Sequence, residues 1–223
     1  MTLADLEAKQ IKLLHRIAQL ELRLAASSIS SSKGCGEDAA ESMETRLSKI
    51  LLARGVNDFA WKRVPSDYYD QSLEDRRQIL NAPRVEQLCK SIVMVNTQAS
   101  EDITDCSNPK NSKYYVVVVQ YMARLNAESI KNFLYALNDR KVPKKRFNMR
   151  LAPEDESLEL TGFIHNAVTC IGMQTDIPVI IDEAITKLEE DYFWLGGGEV
   201  DLKLGMKTSQ FLSAFKPFVV KCS

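Results

Sequence analysis

A run of four consecutive valines constrains the fold of this chain more than any other feature of its sequence. The run lies within residues 114–121, which read Tyr-Tyr-Val-Val-Val-Val-Gln-Tyr. Successive residues of a strand point to opposite faces of a sheet, so an uninterrupted apolar run requires cover on both faces. We therefore predict a central strand here. Residues 91–96 form a second β-branched run, and the turn-rich stretch 104–112 between the two indicates antiparallel neighbours.

The patterning elsewhere predicts an α+β domain. Helical spacing predicts helices over 44–54, 73–80, 84–88, 126–137, 182–188 and 209–214. Further strands are predicted over 59–64, 147–151, 163–170, 179–181, 192–195, 201–204 and 218–221. Many strands, few helices and no regular βαβ alternation favour a mixed, largely antiparallel sheet with surrounding helices.

The first 42 residues differ in character from the rest of the chain. Apolar residues recur at near-heptad spacing over 2–24, which predicts an amphipathic or coiled-coil-like helix covering 1–24. Such a helix either docks on its own domain or mediates self-association or partner docking. Residues 25–42 are rich in small and polar residues and predict a flexible linker. The domain proper then spans 43–223, with 43–84 as its N-terminal extension.

Composition excludes several classes of function. The chain holds 29 Lys+Arg and 30 Asp+Glu, a formal net charge of -1, which argues against coating nucleic acid through bulk charge. Two histidines leave little for a multi-histidine metal site, and five scattered cysteines indicate neither a zinc ribbon nor a disulfide framework. No apolar stretch is long enough to span a bilayer, and the acidic N-terminus is unlike a secretory signal. We expect a cytoplasmic protein without metal, cofactor or membrane partner.

Lys90 is the first candidate for chemistry, because it stands where a predicted helix meets an apolar strand. A lysine whose stem is held by apolar neighbours presents a point charge that binds a phosphate or carbonyl oxygen. A solvated lysine at a strand edge is the alternative interpretation.

The segment 162–172, which has a glycine at each end, is the second candidate. Its residues proposed for substrate binding are Gly162, His165, Asn166, Thr169, Cys170 and Gly172. Free backbone N–H groups in such a loop can hold an oxyanion. The nearness of His165 and Cys170 suggests a cysteine nucleophile, whereas a buried structural cysteine is the commoner outcome.

Two further segments have a composition that suggests binding. Three consecutive glycines, Gly196, Gly197 and Gly198, either admit a ligand closely or form a hairpin turn. The stretch 140–150 has no acidic residue and forms a local basic patch, for which a solvated loop is the alternative interpretation. The residues of this basic patch are Arg140, Lys141, Lys144, Lys145, Arg146 and Arg150.

The order of these features resembles the YbaK family, also called the prolyl-tRNA synthetase-associated or INS-like editing domain. The resemblance runs from about residue 85 to the C-terminus. The segments that support it are Leu88-Cys-Lys-Ser-Ile-Val, Tyr115-Val-Val-Val-Val, Leu125-Asn-Ala-Glu-Ser-Ile-Lys, Ala167-Val-Thr-Cys-Ile-Gly, Ile177-Pro-Val-Ile-Ile-Asp and Trp194-Leu-Gly-Gly-Gly. The chain departs from the family's Gly-x-x-x-Pro loop, with Asn166 at the glycine position and Cys170 at the proline position.

The resemblance implies a trans-acting deacylase that hydrolyses the ester of mischarged tRNA without a metal. It places the key polar role on Lys90, and it places the family's glycine turn on Gly196, Gly197 and Gly198. The expected substrate carries a small amino acid, with tRNA-Pro as one candidate carrier, and an aminoacyl-tRNA synthetase is a candidate partner. The alternative is a non-catalytic tRNA- or synthetase-binding module with the same fold.

Overall fold

A computed structural model describes residues 41–223, so the predicted helix over 1–24 and the linker residues up to 40 lie outside the described residues. The first helix, α1, spans Met43–Ala53. Ser42 caps it, with its Oγ accepting a hydrogen bond from Thr45 N at 3.2 Å. The chain leaves α1 through Gly55, whose positive φ of 81° suits glycine.

The remaining elements are short helices and strands. In chain order they are β1 (Phe59–Arg63), α2 (Leu73–Leu80), β2 (Cys89–Asn96), β3 (Tyr114–Gln120), α3 (Ala127–Leu137), β4 (Met149–Leu151), α4 (Glu154–Thr161), β5 (Val179–Asp182), α5 (Glu183–Thr186), β6 (Tyr192–Gly196), β7 (Leu202–Lys207), α6 (Thr208–Phe215) and β8 (Phe218–Val220). Single 3-10 turns occur at Tyr68–Asp70, Val85–Gln87 and Lys144–Arg146.

The strands form two sheets, and the predicted α+β class is confirmed. The larger sheet has the order β4-β2-β3-β5-β8, and the smaller has the order β1-β7-β6. The predicted antiparallel pairing of β2 with β3 is present, whereas β5 pairs in parallel with both β3 and β8. The smaller sheet is antiparallel throughout. An isolated bridge between Leu88 and Trp194 joins the residue before β2 to β6 of the other sheet.

The valine run is the central strand that the sequence predicts. All seven residues of β3 are buried. Val116 and Val118 belong to one apolar cluster with α1 and α6, while Val117 and Val119 belong to another with α3. A strand in this position is stabilised from both faces, and each buried valine contributes about 1.5–3 kcal/mol of apolar transfer.

Two predicted elements differ from the structure, and one observed helix was not predicted. The segment 163–170 is a series of turns rather than a strand, because Asn166 has a positive φ of 65° that extended backbone excludes. The predicted helix over 84–88 is a single 3-10 turn, so β2 begins one residue before Lys90, which lies within the strand. The acidic run at Glu154 opens a helix, α4, that the sequence analysis did not predict. Acidic residues suit a first helical turn because the helix dipole is positive there.

No helix among residues 41–223 has both the length and the apolar composition needed to cross a bilayer.

Candidate functional site

A cavity of about 350 Å³ opens where the two sheets meet. Its base is the start of β2, and one wall is formed by the end of β4 and the first turns of α4. The turns that follow α4 form the opposite wall, and Gly196 closes the cavity from β6. The lining residues are Tyr69, Lys90, Ser91, Ile92, Val93, Tyr121, Leu151, Ala152, Glu154, Ser157, Phe163, His165, Asn166, Val168 and Gly196.

Lys90 presents a charge at this cavity. Its position in β2 opposite Val119 of β3 anchors the backbone within the larger sheet. The Nζ atom lies 5.4 Å from the ring centroid of Tyr121, another lining residue, at a distance that allows a cation–π contact. Within residues 41–223, Lys90 forms no ion pair with a carboxylate. The ammonium is therefore held near an aromatic ring and remains available to an electron-rich ligand atom.

The turns 163–168, which we call the cavity loop, are fixed by contacts at several points. Tyr69 donates a hydrogen bond from its hydroxyl to the backbone oxygen of Asn166 at 2.6 Å. Ala167 N donates to the oxygen of Ile164 at 3.0 Å, which closes a turn within the loop. His165 Nδ1 lies 3.1 Å from Oε1 of Glu154, so a polar pair connects the loop to α4. Both members of that pair line the cavity.

Of the three turn glycines, only Gly196 lines this cavity. A Cβ at Gly196 would lie 2.7 Å from the backbone oxygen of Val168, so glycine is needed for β6 to approach the cavity loop. Gly197 packs against Leu202, and Gly198 packs against Met43. These two glycines permit close packing of the turn and do not reach the cavity.

The second half of the glycine-framed segment points away from the cavity. Thr169 is fully buried, and Cys170 and Gly172 line a different cavity of about 770 Å³ beside α1 and α6. Burial raises the pKa of the Cys170 thiol to about 12, with the Ser91 hydroxyl acting weakly in the opposite direction. A thiol with this pKa is not ionised near neutrality, as expected of a structural cysteine. Gly162 ends α4 and packs against Gln174.

The basic patch is exposed and adjoins the cavity through β4. All six of its basic residues are solvent-exposed. Lys144 forms an ion pair with Glu128 at 3.1 Å, and Lys141 lies 3.9 Å from Asp139. Arg150 in β4 directly precedes Leu151, which lines the cavity. One residue of the patch, Arg150, therefore lies next to the cavity wall.

Tyr69, Tyr121 and Glu154 are among the lining residues that the sequence analysis did not propose for the site. Tyr69 follows a strand of the smaller sheet and meets Asn166 across a separation of 97 residues. Tyr121 was assigned only to the end of the central strand. Periodicity identifies elements and buried faces, and it carries no information on contacts at such separations.

Within residues 41–223, no three His, Cys, Asp or Glu side chains converge in a group that could hold a metal ion. The cavity presents instead one lysine, two tyrosines, a histidine–glutamate pair and an apolar lining. Such a set can bind a small acyl group and place a positive charge beside its carbonyl oxygen.

Comparison with known proteins gives a family match and several similar folds. The family model described as "Aminoacyl-tRNA editing domain" matches residues 71–214, nearly two thirds of the chain. A crystal structure of a proposed trans-editing enzyme for prolyl-tRNA synthetase is 20% identical, covers 83% of this chain and 99% of its own, and has a TM-score of 0.62.

Two further solved structures share the fold. A scaffold protein from a study of computationally designed epitope grafting is 16% identical, with 82% of this chain and 98% of its own covered and a TM-score of 0.60. A hypothetical protein is 18% identical, with 78% and 98% covered and a TM-score of 0.58. The search of curated proteins finds no match.

Proposed function

The chain belongs to the aminoacyl-tRNA editing domain family, and from this premise we propose that it is a trans-acting deacylase of mischarged tRNA. The reaction is hydrolysis of the ester that joins a small amino acid to the terminal ribose, with tRNA-Pro as one candidate carrier. The observation that supports this proposal most is the position of Lys90 at the wall of a small cavity, where its ammonium has no carboxylate partner among residues 41–223. Aminoacyl-tRNA is found in the cytoplasm, where we expect the protein to act.

The proposed chemistry needs little from the protein besides position and charge. An aminoacyl ester is already activated, so a positioned water suffices as nucleophile. Attack on the ester carbonyl places negative charge on its oxygen, and the Lys90 ammonium stabilises that charge in a partly desolvated site. Neither a thiol nor a metal is required, which is compatible with the buried, un-ionised Cys170.

Amino-acid selectivity would come from the size of the cavity. A space of about 350 Å³ must receive the aminoacyl group together with part of the terminal nucleoside. Discrimination by one methylene is worth only about 1–3 kcal/mol, so exclusion of large side chains is the stronger effect. Phe163 and Val168 of the cavity loop and Ile92 of β2 supply apolar walls that set this limit.

We propose that the basic patch contacts the tRNA backbone. Arg150 in β4 places an exposed cation next to the lining residue Leu151, and Lys144, Lys145 and Arg146 lie in the exposed 3-10 turn shortly before that strand, on the side from which the acceptor arm would approach. Lysine and arginine contacts to phosphate release counterions and make binding depend on salt. Replacement of Lys144, Lys145 and Arg146 with Gln should weaken tRNA binding and lower the slope of log K against log salt by up to about three. An unchanged slope would contradict this proposal and favour the alternative, that the patch is a solvated loop.

The enzymatic proposal is tested with tRNA charged separately with alanine, cysteine, serine and proline. Wild-type protein should deacylate at least one of these, also in the presence of EDTA. Lys90→Met should lower kcat/KM by about 100-fold or more, because it removes the charge that stabilises the oxyanion. Lys113→Met is the matched control, since the Lys113 Nζ also lies over a tyrosine ring, at 5.5 Å from that of Tyr114, outside the cavity.

The outcomes separate the two functions. Absence of deacylation of all four substrates by wild type, together with tRNA or synthetase binding, would replace the deacylase by a non-catalytic binding module. Full activity of Lys90→Met would refute the role of the lysine. Loss of activity only in Cys170→Ala would support a cysteine nucleophile against the argument from burial.

We further propose an aminoacyl-tRNA synthetase as a partner, with residues 1–24 as the docking or self-association segment. The proposal rests on the near-heptad pattern of that segment. Deletion of residues 1–40 should leave deacylation intact and weaken synthetase binding or change the oligomeric state. If both are unchanged, the segment has neither role.

A further inference from the structure

A second lysine, Lys203, lies behind the wall of the cavity. It is part of β7 and only 4% exposed. Its Nζ donates to the hydroxyl oxygen of Tyr69 at 2.6 Å and to the backbone oxygen of Val200 at 3.0 Å. The same Nζ lies 5.1 Å and 4.5 Å from the ring centroids of Tyr68 and Tyr69. The ammonium is therefore enclosed by two aromatic rings and bound to one hydroxyl.

Within the part of the chain that the structure describes, this buried charge has no carboxylate partner within hydrogen-bonding reach. Among residues 41–223, Lys203 forms no ion pair, and the charged groups that influence it are Arg76, which disfavours the ammonium, and Asp201, which favours it. Burial is the largest effect and lowers the pKa of Lys203 to about 8. An unpaired buried ammonium is costly, and an apolar residue of similar volume commonly replaces one at no loss of stability. Its presence here calls for a role other than stabilising the fold.

The hydrogen bonds of Tyr69 connect Lys203 to the cavity. Tyr69 accepts from Lys203 and donates to the backbone oxygen of Asn166, each at 2.6 Å. An oxygen that accepts from a cation becomes a stronger donor, so the two bonds reinforce each other. Asn166 needs this support because its positive φ of 65° is unfavourable for a residue other than glycine.

Arg76 fixes Tyr69 from the other side. Its guanidinium lies 5.4 Å from the Tyr69 ring centroid and donates through an Nη atom to the Tyr69 backbone oxygen. Its Nε donates to the backbone oxygen of Gln71 at 3.0 Å. The tyrosine is thus held by α2 through its backbone and by β7 through its hydroxyl, which leaves it little freedom to rotate away from the cavity loop.

We propose that Lys203 is a positioning residue, which sets the conformation of the cavity loop, residues 163–168, through the Tyr69 hydroxyl. The catalytic part of this inference rests on the proposed deacylase function, because the loop matters to the reaction only if the cavity is the active site. The conformational part is independent of it. The inference also gives the segment between β1 and α2 a role as part of the site.

The test uses the full-length protein and two pairs of variants. Lys203→Met removes the ammonium, and Lys207→Met is its control on the same strand, since Lys207 is only half-buried and lies 3.4 Å from Asp58. Tyr69→Phe removes a single oxygen, and Tyr68→Phe is its control, since the Tyr68 hydroxyl is not part of this chain of hydrogen bonds.

Amide hydrogen exchange of residues 163–168 is the first measurement. Both Lys203→Met and Tyr69→Phe should raise the exchange rate of the loop about tenfold, while the two controls leave it unchanged. Steady-state kinetics are the second measurement. Each variant should lower kcat about tenfold through misplacement of the loop, with a smaller change in KM. The double variant should lose no more than the worse single variant, because both act through one hydroxyl.

Unchanged loop exchange in either variant would overturn the inference, as would additive losses of kcat in the double variant. If Lys203→Met fails to fold, Tyr69→Phe still tests the inference, because unchanged loop exchange in that variant would overturn it. Failure of the proposed function gives a different result: a wild-type protein without deacylase activity whose loop still loosens in both variants. In that case the positioning role stands and the catalytic assignment of the cavity does not.

Discussion

The buried ammonium of Lys203 predicts a specific dependence of stability on pH. Its pKa is about 8 in the folded chain against an ordinary 10.5. Between these values the unfolded chain binds more protons than the folded chain, so the free energy of unfolding rises with pH across that interval. Below about pH 8 the lysine is charged in both states, and the free energy of unfolding is lowered by the full cost of burying that charge. At about 1.4 kcal/mol per pH unit, the cost near neutrality is about 3 kcal/mol.

The perturbation that isolates this effect is Lys203→Met, which keeps most of the side-chain volume and cannot titrate. Most of the interval between the folded and the ordinary pKa of Lys203 lies between about pH 7 and about pH 9.5. Over this range the free energy of unfolding of the wild type should rise by about 2 kcal/mol relative to that of the variant. Near pH 7 the variant loses two hydrogen bonds of about 1 kcal/mol each, to Tyr69 and Val200. It should therefore unfold at about the same urea concentration as the wild type or at a higher one.

The assay is equilibrium urea unfolding of both proteins at the two pH values. The result is the change in the free energy of unfolding of the wild type between the two pH values minus the same change for the variant. Other titrating groups, including the tyrosines around Lys203, are common to both proteins and largely cancel. A difference below about 0.5 kcal/mol would mean that the ammonium is solvated in the folded chain. A variant that is much less stable near pH 7 would show that Lys203 stabilises the fold, contrary to the argument for a positioning role.

Three further results are expected from local features. Gly172→Ala should lower the free energy of unfolding, measured with urea, by at least about 2 kcal/mol, whereas Gly55→Ala should lower it by about 1 kcal/mol. Both glycines have positive φ, but only a Cβ at Gly172 would lie against neighbouring side chains. Equal losses of stability would contradict this packing argument. Asn126→Ala should cost about 1 kcal/mol in thermal or urea unfolding by removing the cap of α3, whereas Asn132→Ala within that helix should not; equal stability would show that the cap contributes nothing. Cys170 should resist iodoacetamide at neutral pH until the protein unfolds, as followed by mass spectrometry, because its thiol pKa is about 12; rapid alkylation of the folded protein would contradict its burial.

The central features of the fold were predictable because they follow from local patterns. The valine run in 114–121 predicted a strand covered on both faces, and all of β3 is buried. The turn-rich stretch 104–112 predicted the antiparallel pairing of β2 and β3. Such patterns depend on burial, which the residue types themselves determine.

The error at 163–170 has a physical cause that sequence alone does not reveal. The β-branched and apolar residues of this segment suit a strand, but Asn166 adopts the left-handed region, and the chain turns there. What holds it is a hydrogen bond from Tyr69, 97 residues away. Local propensity was overridden by a tertiary contact, and the same contact defines one wall of the cavity.

The candidate site was predictable in part. Lys90, His165, Asn166 and Gly196 lie at one cavity. Thr169, Cys170 and Gly172 do not, because the turns after Asn166 direct the chain toward α1. The glycine spacing in the sequence identified residues 162–172 as a candidate segment. Its division between two cavities depends on backbone dihedrals, which the sequence does not show.

The cavity at the junction of the two sheets has a consequence for folding. Its walls come from segments around Tyr69, Lys90, Asn166 and Gly196, which are distant in sequence. Closing such long loops costs chain entropy before any contact offsets it, so contacts of this kind slow folding. A form of the protein in which any one of these segments has opened lacks a wall of the cavity. The population able to bind a ligand here is therefore the one in which all these segments are in place, and local opening of any one of them reduces it.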